Sequence, residues 1–430
     1  MALHRREYLS HLSGLLATAG LISLAGCSSS CPDSDGPTPE ETIAGDATPT
    51  GPFETTPAGT WPVETGDAAN TGHSSLRLPD SSLTVRWRTQ LAIPSEDGVG
   101  VVASAPVVGD ERVYVADSER VHALSLRTGE LEWQSETLPV TETEQYGVYR
   151  PETVAPRIGP ESQIYVGLET GLAALDPADG TIRWRANGQS AVAPPTVVEN
   201  LLVAQGEDLV RAFDPDGTER WSVSLDRDVA RRQPAATGDA VVLRTERGLK
   251  ALDPETGDTR WTRSIRAESP PSIDDGTVFA GIDEGLIGLD VVDGSDRFTY
   301  SRGEYMTFDA LVIAPETVYV VEHPPEAGAS SFAFSRTENG VEPRWCSAVG
   351  DGTVTAATDD IALGLFPLGL GPRSTRSVGS FTAERGEMPW AITGGTRSDA
   401  WPNPPALLAD AIVVSTRGGR VLAVSGGGET

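Results

Sequence analysis

Side chains able to do chemistry are few in this sequence, and their spacing argues against most catalysis. The five histidines are His4, His11, His73, His122 and His323. The first two fall in a leader-like stretch, and the other three stand far apart without neighbouring cysteines, so no zinc-ligand spacing is present. Cys27, Cys31 and Cys346 are too few for a disulfide framework, and Cys346 stands alone after Trp345. No Gly-x-Ser-x-Gly elbow occurs, no glycine-rich phosphate loop precedes a helix, and three histidines offer no serine-triad arrangement. No catalytic residue and no metal site is therefore expected.

Three aspartate-rich stretches, residues 176–180, 253–258 and 290–296, have the carboxylate density of calcium loops. None has the twelve-residue ligand spacing that ends in glutamate, and each lies where the chain needs a tight turn. They are read as β-turns. Arg231 and Arg232 form the one adjacent pair of cations in a connecting segment, suited to an anionic ligand or simply to solvent. His323-Pro324-Pro325 and the glycine-rich residues 364–371 mark the least regular regions, where loop-borne binding would sit.

The N-terminus carries chemistry of a different kind. Arg5-Arg6 with Tyr8-Leu9, then an apolar run over residues 12–25, then Leu24-Ala25-Gly26-Cys27, make a basic end, a short hydrophobic segment and a small-residue cleavage site. The run is shorter than the roughly 20 residues that cross a hydrocarbon core. Arg5 and Arg6 resemble a twin-arginine export motif, and residues 24–27 resemble a lipobox whose Cys27 becomes the lipidated N-terminus. Residues 1–26 are thus expected to be a removed signal peptide. Residues 27–60, rich in Pro, Thr, Ser, Gly and acid, bury too little to offset their ordering entropy and are expected to be a disordered tether.

Charge excludes some partners. Asp and Glu number 62 against 33 Lys and Arg, a formal net charge of −29 spread along the chain, with Lys250 the only lysine. Such a surface repels nucleic acid and anionic lipid headgroups, and it matches a proteome adapted to high salt.

What positions these residues is a repeat. Trp87, Trp133, Trp184, Trp221, Trp261, Phe298, Trp345 and Trp390 recur at intervals of 37 to 51 residues, the length of four short strands. Between Trp184 and Trp221, short apolar runs at 194–198, 201–205 and 209–213 are broken by Glu199-Asn200, by Gly206-Glu207-Asp208 and by Asp214-Pro215-Asp216-Gly217. Runs so short, punctuated by Gly, Pro, Asp and Asn, read as antiparallel strands with tight turns, the last ending at the tryptophan.

Each unit ends on one string, complete in Ala251-Leu252-Asp253-Pro254-Glu255-Thr256-Gly257-Asp258-Thr259-Arg260-Trp261. This resembles the AxDxxTGxxxW motif of the pyrroloquinoline-quinone (PQQ)-like propeller repeats. Residues 174–184, 123–133 and 212–221 carry near copies, and 288–298, 333–345 and 380–390 carry degenerate ones. Trp61-Pro62 and residues 66–72 resemble that family's lead-in. Asp and Gly supply the turn, and the tryptophan fills a gap between layers.

The chain ends after residues 406–408, 411–415 and 421–425, where an outermost strand is due, and residues 83–87 are an outermost strand with no unit before it. The two halves make one blade. The fold expected is all-β: an eight-bladed propeller of four-stranded antiparallel blades over residues 61–430, closed by an N-terminal strand in the last blade.

The resemblance brings an enzymatic possibility with it. PQQ alcohol dehydrogenases of this family carry a vicinal cysteine disulfide against the quinone, a tryptophan beneath it, a calcium or lanthanide site and a catalytic aspartate. No two cysteines here are adjacent. The chain resembles more the non-enzymatic, BamB-like lipoprotein branch, and a haloarchaeal source is expected. The function expected is a monomeric, lipid-anchored interaction scaffold on the outer face of the cytoplasmic membrane, with other surface or membrane proteins as partners and no cofactor. The alternatives are a PQQ-binding quinoprotein oxidoreductase and a carbohydrate or small-ligand binder in the axial channel.

Overall fold

The computed structural model describes residues 38–426 other than 80–82, 94, 97–98, 101, 110, 139, 141, 145–150, 189–194, 207, 226–232, 284, 302–307, 323–329, 349–352, 369–374 and 395–401. Eight four-stranded antiparallel sheets follow one another along it. We number them as blades: 1 (107–134), 2 (157–187), 3 (196–224), 4 (235–263), 5 (272–301), 6 (308–348) and 7 (353–393). Blade 8 combines Ala406–Leu408, Ala411–Ser415 and Arg420–Gly426 with Leu83–Gln90.

Burial falls outward across each sheet. In blade 1, Val107–Gly109 is wholly buried and Leu131–Gln134 mostly exposed. The first strand therefore lines the axis and the fourth forms the rim. In blade 3, Leu201–Gln205 and Leu209–Phe213 fall on the two apolar runs read from the sequence. Its outermost strand, Glu219–Ser224, does not end at Trp221 but continues three residues past it. The same is true of Leu83–Gln90 beyond Trp87. The aromatic is an interior residue of the rim strand, which lets it reach sideways into the next blade.

The ring closes as the two chain halves require. Leu83 pairs with Gly426 and Gln90 with Arg420, with one irregularity between Val85 and Trp87. One apolar cluster spans this seam, uniting Trp87, Val108, Leu124, Ile361, Trp390, Leu408 and Val424. A closed ring turns the inner edge of each sheet toward the axis, so these edges are short and shielded, which is what makes so short a first strand tenable.

The stretch 27–60 departs from the disordered tether expected of it. From residue 38 it lies on the propeller, and Glu41–Ala44 forms a fifth, parallel strand on the rim of blade 7, pairing with Trp390–Thr393. Thr50 and Gly51 then donate their N–H groups to Val85 and Arg86 of blade 8, and Phe53 donates its N–H to the Arg127 carbonyl of blade 1 while its own carbonyl accepts from Arg127 Nε. Ile43 and Phe53 are both buried. Composition misled because two apolar side chains are enough when a finished sheet edge supplies the hydrogen bonds.

Candidate functional site

The repeat tryptophans were the residues the sequence made most prominent, and all seven sit at blade interfaces. Each indole N–H donates to a backbone carbonyl of the next blade: Trp87 to Leu126, Trp133 to Pro177, Trp184 to Pro215, Trp221 to Pro254, Trp261 to Val291 and Trp345 to Ala383, at 2.8 or 2.9 Å. Trp390 completes the circuit by donating to Pro79, just before the strand that closes blade 8. The acceptor follows the motif's aspartate, or the Ser or Thr in its place, so the turn of one unit is built to receive the ring of the unit before it. Phe298 has no such donor, and blades 5 and 6 are joined instead by Phe279, Phe298, Tyr300, Phe332 and Phe334, with Arg336 paired to Asp274.

Two small residues make room for each ring. Gly257 has φ +75°, and a Cβ there would lie 2.8 Å from the Trp221 ring. Across the sheet, Ala123, Ala174, Ala212, Ala251 and Ala333 face Trp133, Trp184, Trp221, Trp261 and Trp345. Gly288 faces Phe298, and a Cβ there would come 2.1 Å from its ring. This explains the alanine of the motif, for which sequence reasoning offered no reason.

The aspartate-rich stretches are turns whose carboxylates are already engaged. In blade 5, Asp290 Oδ1 accepts from the N–H groups of Val292 and Asp293, while Oδ2 takes Arg297 at 2.9 Å. Asp253 does the same with Glu255, Thr256 and Arg260, and Asp176 with Ala178 and Arg183. These bonds hold the three carboxyls below the usual range, through backbone N–H donors and arginine. The arginine just before each of these aromatics was overlooked, although Arg183-Trp184, Arg260-Trp261 and Arg297-Phe298 repeat visibly. Among the described residues no cluster of three or more His, Cys, Asp or Glu is placed to hold a metal.

The lead-in, residues 58–79, is where the structure concentrates buried polar chemistry. It crosses one end of the axis and bonds to one inner strand after another. Trp61 pairs with Val108 of blade 1, and Pro62 accepts from Ile158 of blade 2. Ala68 and Ala69 accept from Ala236 and Ile273 of blades 4 and 5, and Thr71 and Gly72 from Ile313 and Ala357 of blades 6 and 7. Ala58 and Arg77 accept from Ala409 and Asp410 of blade 8. The segment is a plug.

Its hub is Asn70, 4% exposed and in the left-handed region at φ 57°, which asparagine tolerates. The Asn70 amide donates to Gln233 and Pro271, its carbonyl accepts from Ser272, and its Oδ1 accepts from Thr65. Asp67 accepts from the Thr71 N–H and hydroxyl; burial raises its carboxyl above the usual range, against those two bonds and the charge of Arg157. Arg157, 3% exposed, donates to Val197 of blade 3. Burial pulls its guanidinium down to about 10, with Asp67 opposing.

A second buried pair lies in blade 1. His122 Nε2 is 2.8 Å from Asp117 Oδ2, both almost wholly enclosed. Burial raises the Asp117 carboxyl, but His122 and the N–H groups of Glu119 and Arg120 outweigh it and hold the group below its ordinary value. Asp117 closes the turn between Arg112–Ala116 and Val121–Ser125, so the pair is a turn lock.

Of the other residues singled out from the sequence, Arg5, Arg6, Cys27, Arg231, Arg232 and residues 323–325 lie outside the described residues. Of residues 364–371, the first five belong to the strand Ile361–Leu368 of blade 7. Cys346 does not stand alone: it is disulfide-bonded, on the rim strand of blade 6. The sequence has only two other cysteines, and both are outside the described residues. Among the described residues no helix is long and apolar enough to cross a membrane.

The architecture is that of an eight-bladed β-propeller whose repeats resemble PQQ-like ones. Residues 206–363 match a family described as outer membrane protein assembly factor BamB. Among solved structures, the chain resembles BamB from Moraxella catarrhalis at 16% identity and a TM-score of 0.56, over 81% of this chain and 99% of that one. Quinohemoprotein alcohol dehydrogenase from Comamonas testosteroni aligns at 16% identity and a TM-score of 0.63, over 86% and 81%. The computationally designed protein Ika8 aligns at 13% and 0.57, over 78% and 98%. No curated protein matches by sequence. Identities this low establish shared fold and nothing further.

The dehydrogenase likeness makes a quinone cofactor worth testing against the residues. At the plugged end of the axis the described residues do not fit one. Its carboxylate, Asp67, is committed to Thr71, its amide Asn70 is saturated, and Trp61 is packed into the plug at 1% exposure against Gly66. The one described cysteine is at the rim.

Proposed function

We propose that this protein is a lipid-anchored scaffold at the cell surface, a propeller that organises protein partners without catalysing a reaction. The observation that carries the reading is the plugged axis. A site for chemistry needs an open pocket with convergent polar groups, and at this end of the axis Asn70, Asp67 and Ser272 are spent on holding residues 58–79 in place.

The position of the plug favours the opposite face for partners. It contacts the ends of the inner strands at Val108, Ile158, Ala236 and Ala357, where each first strand turns into the second. The connections between successive blades begin on the opposite face, among them the long ones from Gln134 to Arg157 and from Thr393 to Ala406. Loops of that length on a rigid frame are the usual carriers of recognition. The family likeness over residues 206–363 supports a protein-binding role, and the export motif and Cys27 support a membrane-tethered one.

Crosslinking on intact cells, followed by identification of captured proteins, tests the scaffold. Recovery of the same surface proteins by the wild type, and their loss when the 135–156 connection is shortened, is the expected result. Incubation of the purified protein with PQQ and calcium tests the rival reading: bound cofactor absorbance with dye reduction would replace the scaffold with an oxidoreductase.

A further inference from the structure

Arg157 is the most deeply buried cation described in the structure, and its side chain is only partly satisfied. It opens the inner strand of blade 2, beneath the plug, and gives one N–H to the carbonyl of Val197 at 3.0 Å. Its Nε and Nη1 have no acceptor. The carboxylate that acts on it, Asp67, spends its oxygens on Thr71, and no ion pair joins the two.

The neighbours close a loop around this point. Val197 belongs to the same strand as Thr196, whose hydroxyl donates to Pro234. The next residue back, Gln233, receives Asn70 of the plug, three residues from Asp67. Gln233 Nε2 and Trp61 Nε1 are also buried without acceptors. On the plug and the inner strands of blades 2 to 4, the unpaired buried side-chain atoms are all N–H donors.

A buried guanidinium with free N–H groups is costly unless a counter-charge accepts them. A water would take one or two of these donors but would bring no charge of its own, and the nearby Asp67 makes no hydrogen bond to the guanidinium. We propose that Arg157 holds a small inorganic anion under the plug, bound by its Nε and Nη1. The anion would tie blade 2 to the plug and make ring stability depend on the identity of the salt as well as on its concentration.

The test compares thermal unfolding of the purified protein in sodium chloride, sodium bromide and sodium gluconate at matched sodium concentration. The melting temperature should rise saturably with either halide over gluconate, whose anion is too bulky to enter. In Arg157→Gln that halide increment should vanish, or its midpoint should move up by about tenfold or more, while the general salt effect stays. Asp67→Asn, which removes the neighbouring negative charge, should lower the midpoint.

If Arg157→Gln does not fold, bromide-soaked crystals of the wild type decide the matter. An anomalous peak within hydrogen-bond reach of Nε and Nη1 supports the proposal, and a water there overturns it. Equal halide dependence in wild type and variant would overturn it too.

Discussion

Trp390 donates its indole N–H to the carbonyl of Pro79, 311 residues earlier in the chain. Every other tryptophan clamp reaches forward into the next unit, and this one reaches back to the start. The interface between blades 7 and 8 therefore depends on a segment that belongs to neither repeat. Replacing Trp390 by Phe removes the hydrogen bond and part of a fully buried ring and should cost more than the roughly 1 kcal/mol of the bond alone, whereas Trp390→Ala should cost about 3–5 kcal/mol. Urea unfolding of the two variants separates the terms.

Gly257 and Gly51 make a contrast in backbone terms. Both have positive φ, but a Cβ at Gly257 would press on Trp221, while nothing lies within 4 Å of one at Gly51. Gly257→Ala is expected to cost more than about 1 kcal/mol, and Gly51→Ala only the backbone strain. Equal losses in denaturant melts would show that the clamp does not need the glycine.

Acid should expose the Asp117–His122 lock. The folded carboxyl sits below its unfolded value of 3.8, so its stabilisation is complete above that pH and is lost as pH falls through the lower, folded value. The stability difference between wild type and Asp117→Asn should accordingly be largest near neutrality and shrink below about pH 4. A difference that grew in acid would contradict the assignment. Asp67 has the opposite sign: its folded carboxyl is raised, so it favours the fold below its unfolded value and loses that contribution as pH rises through the folded one.

The strand Glu41–Ala44 should stabilise the rim without being needed for closure. A version starting at residue 48 loses the burial of Ile43, worth about 1.5–3 kcal/mol, but keeps Leu83–Gln90 and the plug. It should fold and melt earlier, with faster amide exchange in Trp390–Thr393. Removal of residues 80–90 should be far more damaging, because it takes away the strand that closes blade 8.

How much could be read beforehand follows from where the information lies. The blades were legible because turn residues and a large aromatic recur at fixed offsets, and strand limits such as Leu201–Gln205 follow from punctuation alone. The alanine opposite most of the tryptophans and the arginine beside several of them were equally present in the string, but their purpose appears only once register is known. The plug was recognised only as a lead-in. Its contacts join residues such as Asn70 and Pro271, 201 positions apart, and no local pattern encodes that distance. Glu41–Ala44 was hidden because its stability comes from the edge it borrows.

Because the described residues between 38 and 90 are built into blades 7 and 8 and across the axis, the order of synthesis matters. While the ribosome is still short of Arg420–Gly426, the strand Leu83–Gln90 has no partner, and residues 58–79 face an incomplete circle of inner strands. A nascent chain must hold these segments soluble until Arg420–Gly426 has been made. Losses of a few residues from the last strand should therefore yield insoluble protein far more readily than cuts of equal length in a surface connection.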